Sequence, residues 1–361
     1  MRFLMDAHQL GMRQTGNETW SRGVARRLAH ELRGHEVHFA VTASAVPLLK
    51  TLTDSPYHVV SAHASRRLAI DLPRTVRRVR PQAVLSLYTS IPMAPPTVLA
   101  IHDLSPLDSR AAQWWPARFR LRFRATVGLS ARAASFVIAP SQFTRNQIID
   151  TYGIDEDRVR VAAIAIDCTL GELIDGGARV EPAVPLVLSV GNVLPRKNLI
   201  TVARAIRRLR EHGLDIRYRI AGQVGSQGVS TERELRRVLP DVEITGYVST
   251  EQLAQHYLSA SLLAYPSLYE GYGLPVVEAM RARLPVICSA STSLPEIAAG
   301  ACAVLDPLDV GAWAAWIESL ATNHTAWRRL SRSGLARTNE FDRSETAGVV
   351  ARALLEAGSA S

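Results

Sequence analysis

The chain has 361 residues, 47% of them hydrophobic, which is enough for two buried cores because a single core stops growing near roughly 250–300 residues. Its formal net charge of +9 favours an anionic substrate or surface, or equally a solvated arginine-rich exterior. Its three cysteines (Cys168, Cys288 and Cys302) are too far apart to predict a disulfide framework or a zinc site, and no apolar run reaches the roughly 18 residues of a membrane span.

These features favour a reducing compartment. The first predicted strand already begins at Arg2, so no apolar segment of a secretion signal precedes it. We therefore expect a cytoplasmic protein, peripheral at most to the inner membrane face.

Short apolar runs alternate with longer amphipathic ones, and they do so twice along the chain. This alternation predicts parallel sheets covered by helices on both faces. In the first half a helix is predicted over Thr19–Leu32, and strands are predicted at Arg2–Asp6, Val37–Val41, Ala83–Leu87, Val98–Ile101 and Phe136–Ala139. The strands predicted in the second half are Pro185–Val190, Ile216–Gly222, Ser261–Ser267 and Leu284–Ser289.

One predicted helix of the first half, Gln113–Val127, interleaves aromatic residues with arginines. Arg118 and Arg122 are four residues apart and share a face. Such a helix could lie on an anionic membrane, with contact through Trp114 to Arg124. It could equally pack its aromatic rings inward and leave a charged outer face. Nucleic-acid binding is not predicted, because the chain has no recognisable module for it.

A stretch rich in glycine and proline, Cys168 to Val184, separates the two halves and has no periodicity. We predict an N-terminal domain over residues 1–170, a hinge linker over 171–184 and a second domain over 185–340. A C-terminal helix within 341–361 is expected to pack back toward the N-terminal domain. The predicted fold is α/β, with two Rossmann-like domains facing each other across a cleft.

Two adjacent cations follow the first strand of the second half. In SVGNVLPRKNL a turn with Gly191 leads to a helix start at Arg196 and Lys197. The arginine offers a planar fork and the lysine a compact charge, a pair that suits a diphosphate. Lys197 and Lys50 are the two lysines of the chain, so a lysine at this turn is informative. Two exposed cations at a helix end are the alternative interpretation.

Two carboxylates flank a predicted strand-to-helix turn in SLYEGYGLPVVEAM. Gly271 and Gly273 allow positive φ and close approach of a ligand, and Pro275 suits the first helical position. The first-turn amides and the helix dipole then favour an anion. Glu278, one turn after Pro275, can accept hydrogen bonds from vicinal hydroxyls, whereas Glu270 would lie nearer the reactive part of a ligand. Each glutamate alone could also be a solvated surface residue.

These motifs and their order resemble the retaining glycosyltransferases of the two-domain GT-B class, specifically family 4. The segment from Glu270 through Met280 is similar to that family's E-x7-E element. IHDLSPL, APSQFTRNQII, GNVLPRKN, ITGYVSTEQLAQHY and STSLPEI appear in the family's order, and the HD and SLPE elements are similar to its mannosyltransferase-like subgroup.

The resemblance implies a site for a nucleotide-diphosphate sugar. Arg196 and Lys197 would hold the diphosphate, Glu278 the ribose, and Glu270 the donor sugar. His102 corresponds to a histidine across the cleft near the transferred sugar. The residues assigned to donor binding are Gly16, Gly191, Arg196, Lys197, Gly271, Tyr272, Gly273, Leu274 and Glu278. Those assigned to catalysis are His102, Glu270, Arg196 and Lys197.

The implied function is retaining transfer of a mannose- or rhamnose-like hexose from a nucleotide sugar to a hydroxyl of a glycan, lipid-linked or small-molecule acceptor. The two cations and the helix amides would stabilise the departing diphosphate, so no metal and no cofactor are expected. The alternative is a non-catalytic nucleotide-sugar-binding or scaffold protein, since a fold alone does not establish activity.

Some positions depart from the family's pattern. The segment AIAID, around Ala165 and Asp167, lacks the proline, asparagine and glycine expected before that aspartate. Arg283 stands where a glycine is expected, and Arg343 where a tryptophan is expected. These departures concern the hinge and helix packing rather than the phosphate contacts.

Overall fold

A computed structural model of the protein describes residues 1–12, 15–89, 95–342 and 346–360. The chain divides into two compact units. Unit 1 comprises Met1–Leu107, Trp115–Ala165 and Ser344–Ser361, and unit 2 comprises Asp108–Trp114 and Ile166–Arg343. The departure noted at Arg343 lies outside the described residues.

The first half of the chain alternates strands and helices. Its strands are β1 (Arg2–Asp6), β2 (Glu36–Thr42), β3 (Tyr57–Val60), β4 (Ala83–Leu87), β5 (Thr97–Ala100), β6 (Phe136–Ala139) and β7 (Val159–Val161). Its α-helices are α1 (Thr15–Glu31), α2 (Val46–Leu52), α3 (Ala64–Arg66), α4 (Leu72–Val79), α5 (Ala117–Ala133) and α6 (Gln142–Tyr152). A π-helical turn spans Arg67–Asp71, and 3-10 turns span Ala43–Ala45, Ala112–Trp114 and Glu156–Arg158.

The second half repeats this alternation. Its strands are β8 (Leu186–Val190), β9 (Arg217–Ala221), β10 (Glu243–Ile244), β11 (Leu262–Tyr265), β12 (Val286–Ser289) and β13 (Ala303–Leu305). Its α-helices are α7 (Cys168–Gly176), α8 (Leu199–Glu211), α9 (Val229–Val238), α10 (Thr250–Ser259), α11 (Leu274–Arg281), α12 (Leu294–Ala298), α13 (Val310–Thr322), α14 (His324–Asp342) and α15 (Thr346–Ser359). 3-10 turns span Pro195–Lys197 and Ser226–Gly228.

Each unit is built on one parallel sheet. Within the described residues, unit 1 has the strand order β3-β2-β1-β4-β5-β6-β7 and unit 2 the order β10-β9-β8-β11-β12-β13. The strand order reverses between β1 and β4 in unit 1 and between β8 and β11 in unit 2. Ligands of open parallel sheets bind outside the carboxyl ends of the strands at such a reversal. The loops after β8 and β11 are therefore the place to look for a site in unit 2.

The strands are apolar because helices cover both faces of each sheet. Every residue of β4, β5, β11 and β12 is buried. Parallel strands covered on both faces lack the alternation of a half-exposed strand, which is why the sequence shows continuous apolar runs at these places. In unit 2, Trp313 of α13 and Ile206 of α8 belong to the core on one face of the sheet.

The predicted α/β fold with two parallel sheets is confirmed, but the sequence missed the short strands. β3, β7, β10 and β13 are the edge strands of the two sheets, and each is short and partly exposed, unlike the mostly buried strands that were predicted. Helix α1 begins at Thr15, ahead of the predicted Thr19.

The segment predicted as a linker over 171–184 contains part of a helix. Asp167 caps α7 by accepting hydrogen bonds from the backbone N–H groups of Thr169 and Leu170. Leu170 and Ile174, four residues apart, are buried, and α7 packs against α10 and α11 of unit 2. The glycine and proline content hid this apolar spacing, so the prediction of an aperiodic segment was wrong for residues 171–176.

The end of the described chain packs onto unit 1. Helix α15 lies against α1 and the strands β4 and β5, and Thr346 donates a hydrogen bond to the carbonyl of Ala163. Within the described ranges, every helix is too short or too polar to cross a membrane.

Candidate functional site

The loop after β8 presents two cations from a 3-10 turn. Arg196 and Lys197 lie in this turn, and Asn198 follows it in the left-handed region with φ of 52°. The Asn198 amide donates to the carbonyl oxygens of Pro266 and Pro307 at 3.2 and 2.7 Å. This anchored asparagine ends the turn, so the two cations are held against the loop that follows β11.

Glycines let the backbone of this loop approach its neighbours. Gly191 has φ of 131°, and a Cβ added to it would lie 3.3 Å from the Lys197 Nζ. A Cβ on Gly222 would lie 2.0 Å from the carbonyl oxygen of Gly191, and one on Gly228 would lie 2.0 Å from that of Val193. The loops after β8 and β9 therefore touch backbone to backbone. The sequence analysis selected Gly191 but missed Gly222 and Gly228.

The loop after β11 is fixed by hydroxyl groups that precede α12. The Glu270 backbone N–H donates to Thr292 Oγ1 at 2.9 Å, and Ser293 Oγ donates to the carbonyls of Glu270 and Tyr272. Thr292 has φ of 54°, which a β-branched residue rarely adopts. Backbone strain of this kind persists where the surrounding contacts fix the conformation. At Thr292 this conformation places the hydroxyl where it accepts from the Glu270 backbone N–H.

The side chains of Glu270, Lys197 and Arg196 meet at the carboxyl ends of β8 and β11. Lys197 Nζ donates to Glu270 Oε1 at 2.6 Å and to the Tyr265 hydroxyl at 2.8 Å, and Arg196 Nη1 lies 3.6 Å from the same carboxylate oxygen. Burial raises the pKa of Glu270, but the charges of Lys197 and Arg196 outweigh it and hold the pKa below its usual value. The group therefore carries two positive charges and one negative charge at neutral pH.

Helix α11 begins next to this group. Gly273 is its N-cap, with φ of 104°, Pro275 lies in its first turn, and no described side chain caps it. An uncapped helix N-terminus favours an anion through its free amides and its dipole. Of the two glycines that allow positive φ, Gly273 adopts it, and a Cβ there would also lie 2.5 Å from Leu294.

Glu278 does not join the Glu270 group but lies one turn into α11. It is buried and accepts a hydrogen bond from the Tyr257 hydroxyl at 2.6 Å. Burial raises the pKa of Glu278 to about 7; the bond from Tyr257 lowers it, and the charge of Asp167 adds to the rise. A buried carboxyl group that titrates near neutral pH is typical of a functional site.

His102 lies in unit 1, just after β5. Its Nδ1 lies 2.6 Å from Asn17 Oδ1, and its ring packs edge-on against Trp20 with 4.9 Å between centroids. Burial lowers the pKa of His102 to about 3, so the imidazole is neutral at physiological pH. With Nδ1–H donating to Asn17, Nε2 is a buried acceptor that has no hydrogen-bond partner among the described residues.

Gly16 precedes Asn17, the residue whose side chain contacts this histidine. It belongs to the first turn of α1 rather than to an open turn, and a Cβ added to it would meet no atom within 4 Å. Its neighbour Asn17 supplies the contact to His102. The structure therefore brings Gly16 close to His102 within unit 1, whereas the other predicted site residues lie in unit 2.

A second buried polar cluster lies at the carboxyl end of β1. Asp6 Oδ1 is 3.0 Å from His8 Nδ1, and Asp6 Oδ2 is 3.7 Å from Nε of Arg67 in the π-helical turn. The three side chains tie this turn to β1. The sequence analysis selected none of them.

The helix α5 has a mixed basic and apolar surface. Arg118, Arg120, Arg122 and Arg124 are exposed, and Leu121 and Leu129 are 73% and 68% exposed. The rings of Trp115 and Phe119 stack with centroids 4.9 Å apart. The helix predicted over Gln113–Val127 is present but begins at Ala117 and ends at Ala133, and its apolar residues are not all turned inward.

Metal ligands do not gather in the part of the chain that the structure describes: no three acidic, histidine or cysteine side chains there could share an ion. The sequence Asp155-Glu156-Asp157 places two aspartates two residues apart. Asp155 caps the 3-10 turn that follows it, and Glu156 pairs with Arg145.

Two family models match the chain. The model of Glycosyltransferase Family 4 matches residues 15–170, and that of Glycosyl transferases group 1 matches residues 178–336. The chain belongs to glycosyltransferase family 4. Its two sheets and their reversal points agree with this family's GT-B fold.

Characterised relatives of this glycosyltransferase-family chain include mannosyltransferases. The O-antigen chain mannosyltransferase B of Escherichia coli is 31% identical over 228 residues, which cover 59% of this chain and 58% of that protein. The MMP alpha-(1->4)-mannosyltransferase of Mycolicibacterium hassiacum is 27% identical over 256 residues, which cover 68% of this chain and 61% of that protein. Each match spans less than two thirds of the relative's length.

Solved structures with the same fold cover nearly the whole chain. A sucrose-phosphate synthase from Thermosynechococcus elongatus has a TM-score of 0.76 at 17% identity and covers 100% of this chain and 99% of its own. Anabaena Alr3699/HepE, in complex with UDP and glucose, has a TM-score of 0.73 at 16% identity and covers 98% of this chain and 99% of its own.

The family's motifs point to more residues than the sequence analysis selected. Thr292 and Ser293 lie in STSLPEI, which the sequence analysis quoted, and Asn17 directly follows Gly16, which it selected. Hydroxyl groups shortly after β12 were the signal that could have identified Thr292 and Ser293, whereas Asn17 lies in α1 and had no such signal. Arg283 has φ of 56°, in the left-handed region that favours the glycine expected at this position.

Proposed function

We propose that the chain is a retaining hexosyltransferase, which moves a mannose- or rhamnose-like hexose from a nucleoside-diphosphate sugar to a hydroxyl of a glycan, lipid-linked or small-molecule acceptor. The main support is the group formed by the buried Lys197 and Glu270 with the partly exposed Arg196. Glu270 lies three residues before the N-cap of α11. The mannosyltransferase relatives support the hexose, and the UDP bound by a structural neighbour supports the nucleotide.

The chemical need is to stabilise the departing diphosphate. Lys197 and Arg196 exceed the charge of Glu270 by one positive unit, and the uncapped N-terminus of α11 adds its dipole. Preorganised positive charge in a buried site stabilises a transition state more than the same charge in water. This charge is sufficient without a divalent metal or a cofactor.

The proposed reaction proceeds on one face of the sugar. The bond from the anomeric carbon to the phosphate oxygen breaks, and a bond to the acceptor oxygen forms on the same face. The acceptor's proton passes to the departing phosphate oxygen, so the configuration is retained. Glu270 would accept hydrogen bonds from the sugar's hydroxyls, and the backbone amides of residues 271–274, with Gly191, would line the phosphates.

The remaining predicted residues have separate roles. Glu278 would accept from the ribose hydroxyls. The neutral His102 would accept from a hydroxyl of the transferred sugar through its buried Nε2, with Gly16 leaving room for donor and acceptor. Both residues would therefore only accept hydrogen bonds, Glu278 from the ribose and His102 from the sugar. His102 would not transfer a proton.

The donor site is tested by thermal stabilisation with GDP, UDP, TDP and ADP and their sugars. The wild type should shift by several degrees with one diphosphate, because a ligand that binds the folded state stabilises it. Lys197→Ala should lose this shift. Lys50→Ala, which removes the chain's other lysine from α2, should keep it. No shift with any nucleotide would rule out the donor site.

Catalysis is tested against the non-catalytic scaffold alternative. An enzyme should slowly hydrolyse its preferred nucleotide sugar without acceptor and release the free hexose. Glu270→Gln should bind the diphosphate but reduce this hydrolysis at least tenfold. A chain that binds the nucleotide sugar with no turnover in either form would support the scaffold.

The exposed surface of α5 supports a peripheral membrane contact. Leu121 and Leu129 are exposed among four arginines, as expected for a helix that lies on an anionic surface. We extend the proposal to a cytoplasmic protein that reaches the inner membrane face through residues 114–124. A lipid-linked acceptor would be presented there.

Vesicle sedimentation tests this contact. Vesicles with anionic phosphatidylglycerol should bind the wild type, and neutral phosphatidylcholine vesicles should not. The pair Arg118→Ser and Arg122→Ser should weaken binding. The control Arg233→Ser and Arg237→Ser removes the same charge from exposed positions of α9 and should leave it unchanged. Equal loss in both variants would indicate a general charge effect and contradict the proposed contact.

A further inference from the structure

The hydroxyl of Tyr257 contacts the carboxyl group assigned to ribose. Tyr257 lies on α10, its side chain is completely buried, and its hydroxyl donates to Glu278 Oε2 at 2.6 Å. Nothing in the proposed reaction uses Tyr257. A buried phenol needs a hydrogen-bond partner, but any acceptor would satisfy it.

The bond restricts how Glu278 can meet a ligand. A glutamate side chain has several rotatable bonds, and its carboxyl group can turn either oxygen outward. With Oε2 bonded to Tyr257, the position of the carboxyl group is fixed and Oε1 remains to accept from a ligand. A short bond between a hydroxyl and a carboxylate is also among the stronger hydrogen bonds.

We propose that Tyr257 is a positioning residue for the nucleotide, which holds Glu278 so that its Oε1 accepts a hydrogen bond from a ribose hydroxyl. This inference rests on the proposed function, because it takes Glu278 to be the ribose ligand. Tyr257 itself does not touch the nucleotide.

The charges around Glu278 give Tyr257 a second effect. Burial and the nearby Asp167, the N-cap of α7, favour the protonated carboxyl group, and Tyr257 favours the ionised one. Other titratable groups on the elements packed against α11 have partners or neighbours other than Glu278. Tyr265 faces Tyr257 and Glu270, and Asp175 pairs with Arg281. Glu296 and Arg337 both face Tyr272, and Cys288 faces Cys302.

The sign of the expected pH effect follows from these neighbours. Ribose hydroxyls donate to the carboxyl group, and an ionised carboxylate is the stronger acceptor. Nucleotide affinity should therefore rise as the pH increases through about 7, the pKa of Glu278. Without the Tyr257 hydroxyl the carboxyl group keeps its proton to higher pH, so the same rise should occur at higher pH.

Calorimetric titration of Tyr257→Phe tests the inference. The probes are the diphosphate chosen by the thermal panel and its 2′,3′-dideoxy analogue, each measured from pH 6 to pH 9. The wild type should bind the analogue roughly tenfold more weakly above pH 7, as expected for lost bonds to a charged group. At pH 7, Tyr257→Phe should bind the diphosphate several-fold more weakly than the wild type, whereas its affinity for the analogue should change little. Its affinity for the diphosphate should recover as the pH rises toward 9.

The matched control is Tyr218→Phe. Tyr218 is also buried in unit 2, and its hydroxyl bonds to Ser189 Oγ at 2.9 Å rather than to a carboxylate. The Tyr218→Phe variant should lose about as much thermal stability as Tyr257→Phe. It should keep the wild-type nucleotide affinities and their dependence on pH. If Tyr257→Phe weakens both nucleotides equally at every pH, or matches Tyr218→Phe, the inference is overturned while the proposed function stands. If the wild type binds no diphosphate, both fall.

Discussion

Glu278 places a carboxyl group that titrates near neutral pH inside unit 2. Burial raises its pKa from 4.5 to about 7. Between these values the folded chain binds more protons than the unfolded chain, so stability falls as the pH rises through this window. Above pH 7 the buried charge costs on the order of 3 kcal/mol. Residues kept for binding often reduce stability in this way.

Glu278→Gln should remove this pH dependence. Glutamine keeps an oxygen that can accept from Tyr257 and carries no charge. The free energy of unfolding should exceed that of the wild type by about 2–3 kcal/mol at pH 8 and match it near pH 4.5, where the wild-type carboxyl group is protonated. Urea denaturation at the two pH values measures this. An equal difference at both would show that the charge is not responsible.

At the scale of elements, the ion pair between Lys197 and Glu270 joins the loop after β8 to the loop after β11. Both side chains are nearly buried. Removing one partner of a buried pair leaves an uncompensated charge, whereas replacing both by neutral side chains of similar size costs little. The effect of this ion pair on stability can therefore be measured separately from its effect on nucleotide binding.

Lys197→Met alone should destabilise the chain by about 3 kcal/mol, reduced somewhat because Arg196 still lies near Glu270. Adding Glu270→Gln should restore most of this stability but not nucleotide binding. Thermal unfolding and diphosphate titration of the single and double variants measure the two effects. Recovery of binding together with stability would mean that the lysine acts only through the fold.

The close contact between the loops after β8 and β9 gives a second prediction at this scale. Gly222→Ala would place a Cβ 2.0 Å from the Gly191 carbonyl oxygen, so backbone must move. A loss of several kcal/mol, on the order of 3, is expected, together with weaker nucleotide binding because Gly191 lies beside Lys197. Gly225→Ala in the same loop meets no atom within 4 Å and should change stability by less than about 0.5 kcal/mol. Chemical denaturation compares the two, and similar losses would contradict the contact.

At the scale of the whole molecule, pattern in the sequence was enough for the central strands of both sheets, but not for their edge strands or for the positions of polar side chains. The bounds of β1, β4 and β6 were predicted correctly, whereas β11 and β12 begin later than predicted. The bond from Tyr257 to Glu278 joins residues 21 positions apart and depends on how α10 and α11 pack. Spacing within one segment carries no information on such a contact.

Positive φ could be predicted from the sequence only at residue types that favour it, such as glycine. Gly271 and Gly273 were both selected as glycines that allow positive φ, and Gly273 adopts it. Asn198 and Thr292 also have positive φ. Asparagine is enriched in this region but was not selected for it, whereas a β-branched threonine gives no such signal. Tertiary hydrogen bonds hold both residues in place, and those bonds come from loops of other strands.

The two units have separate cores, so a cavity in one should leave the other unchanged. Leu354 of α15 is completely buried in unit 1, and Leu235 of α9 is completely buried in unit 2. Leu354→Ala and Leu235→Ala should each cost about 2–5 kcal/mol, because each leaves a cavity. In scanning calorimetry, Leu354→Ala should lower only the transition of unit 1, and Leu235→Ala only that of unit 2. A bound diphosphate should raise the transition that Leu235→Ala lowers and leave the other unchanged. A single transition that both substitutions lower equally would show instead that the two units unfold as one, and the nucleotide would then stabilise the entire chain.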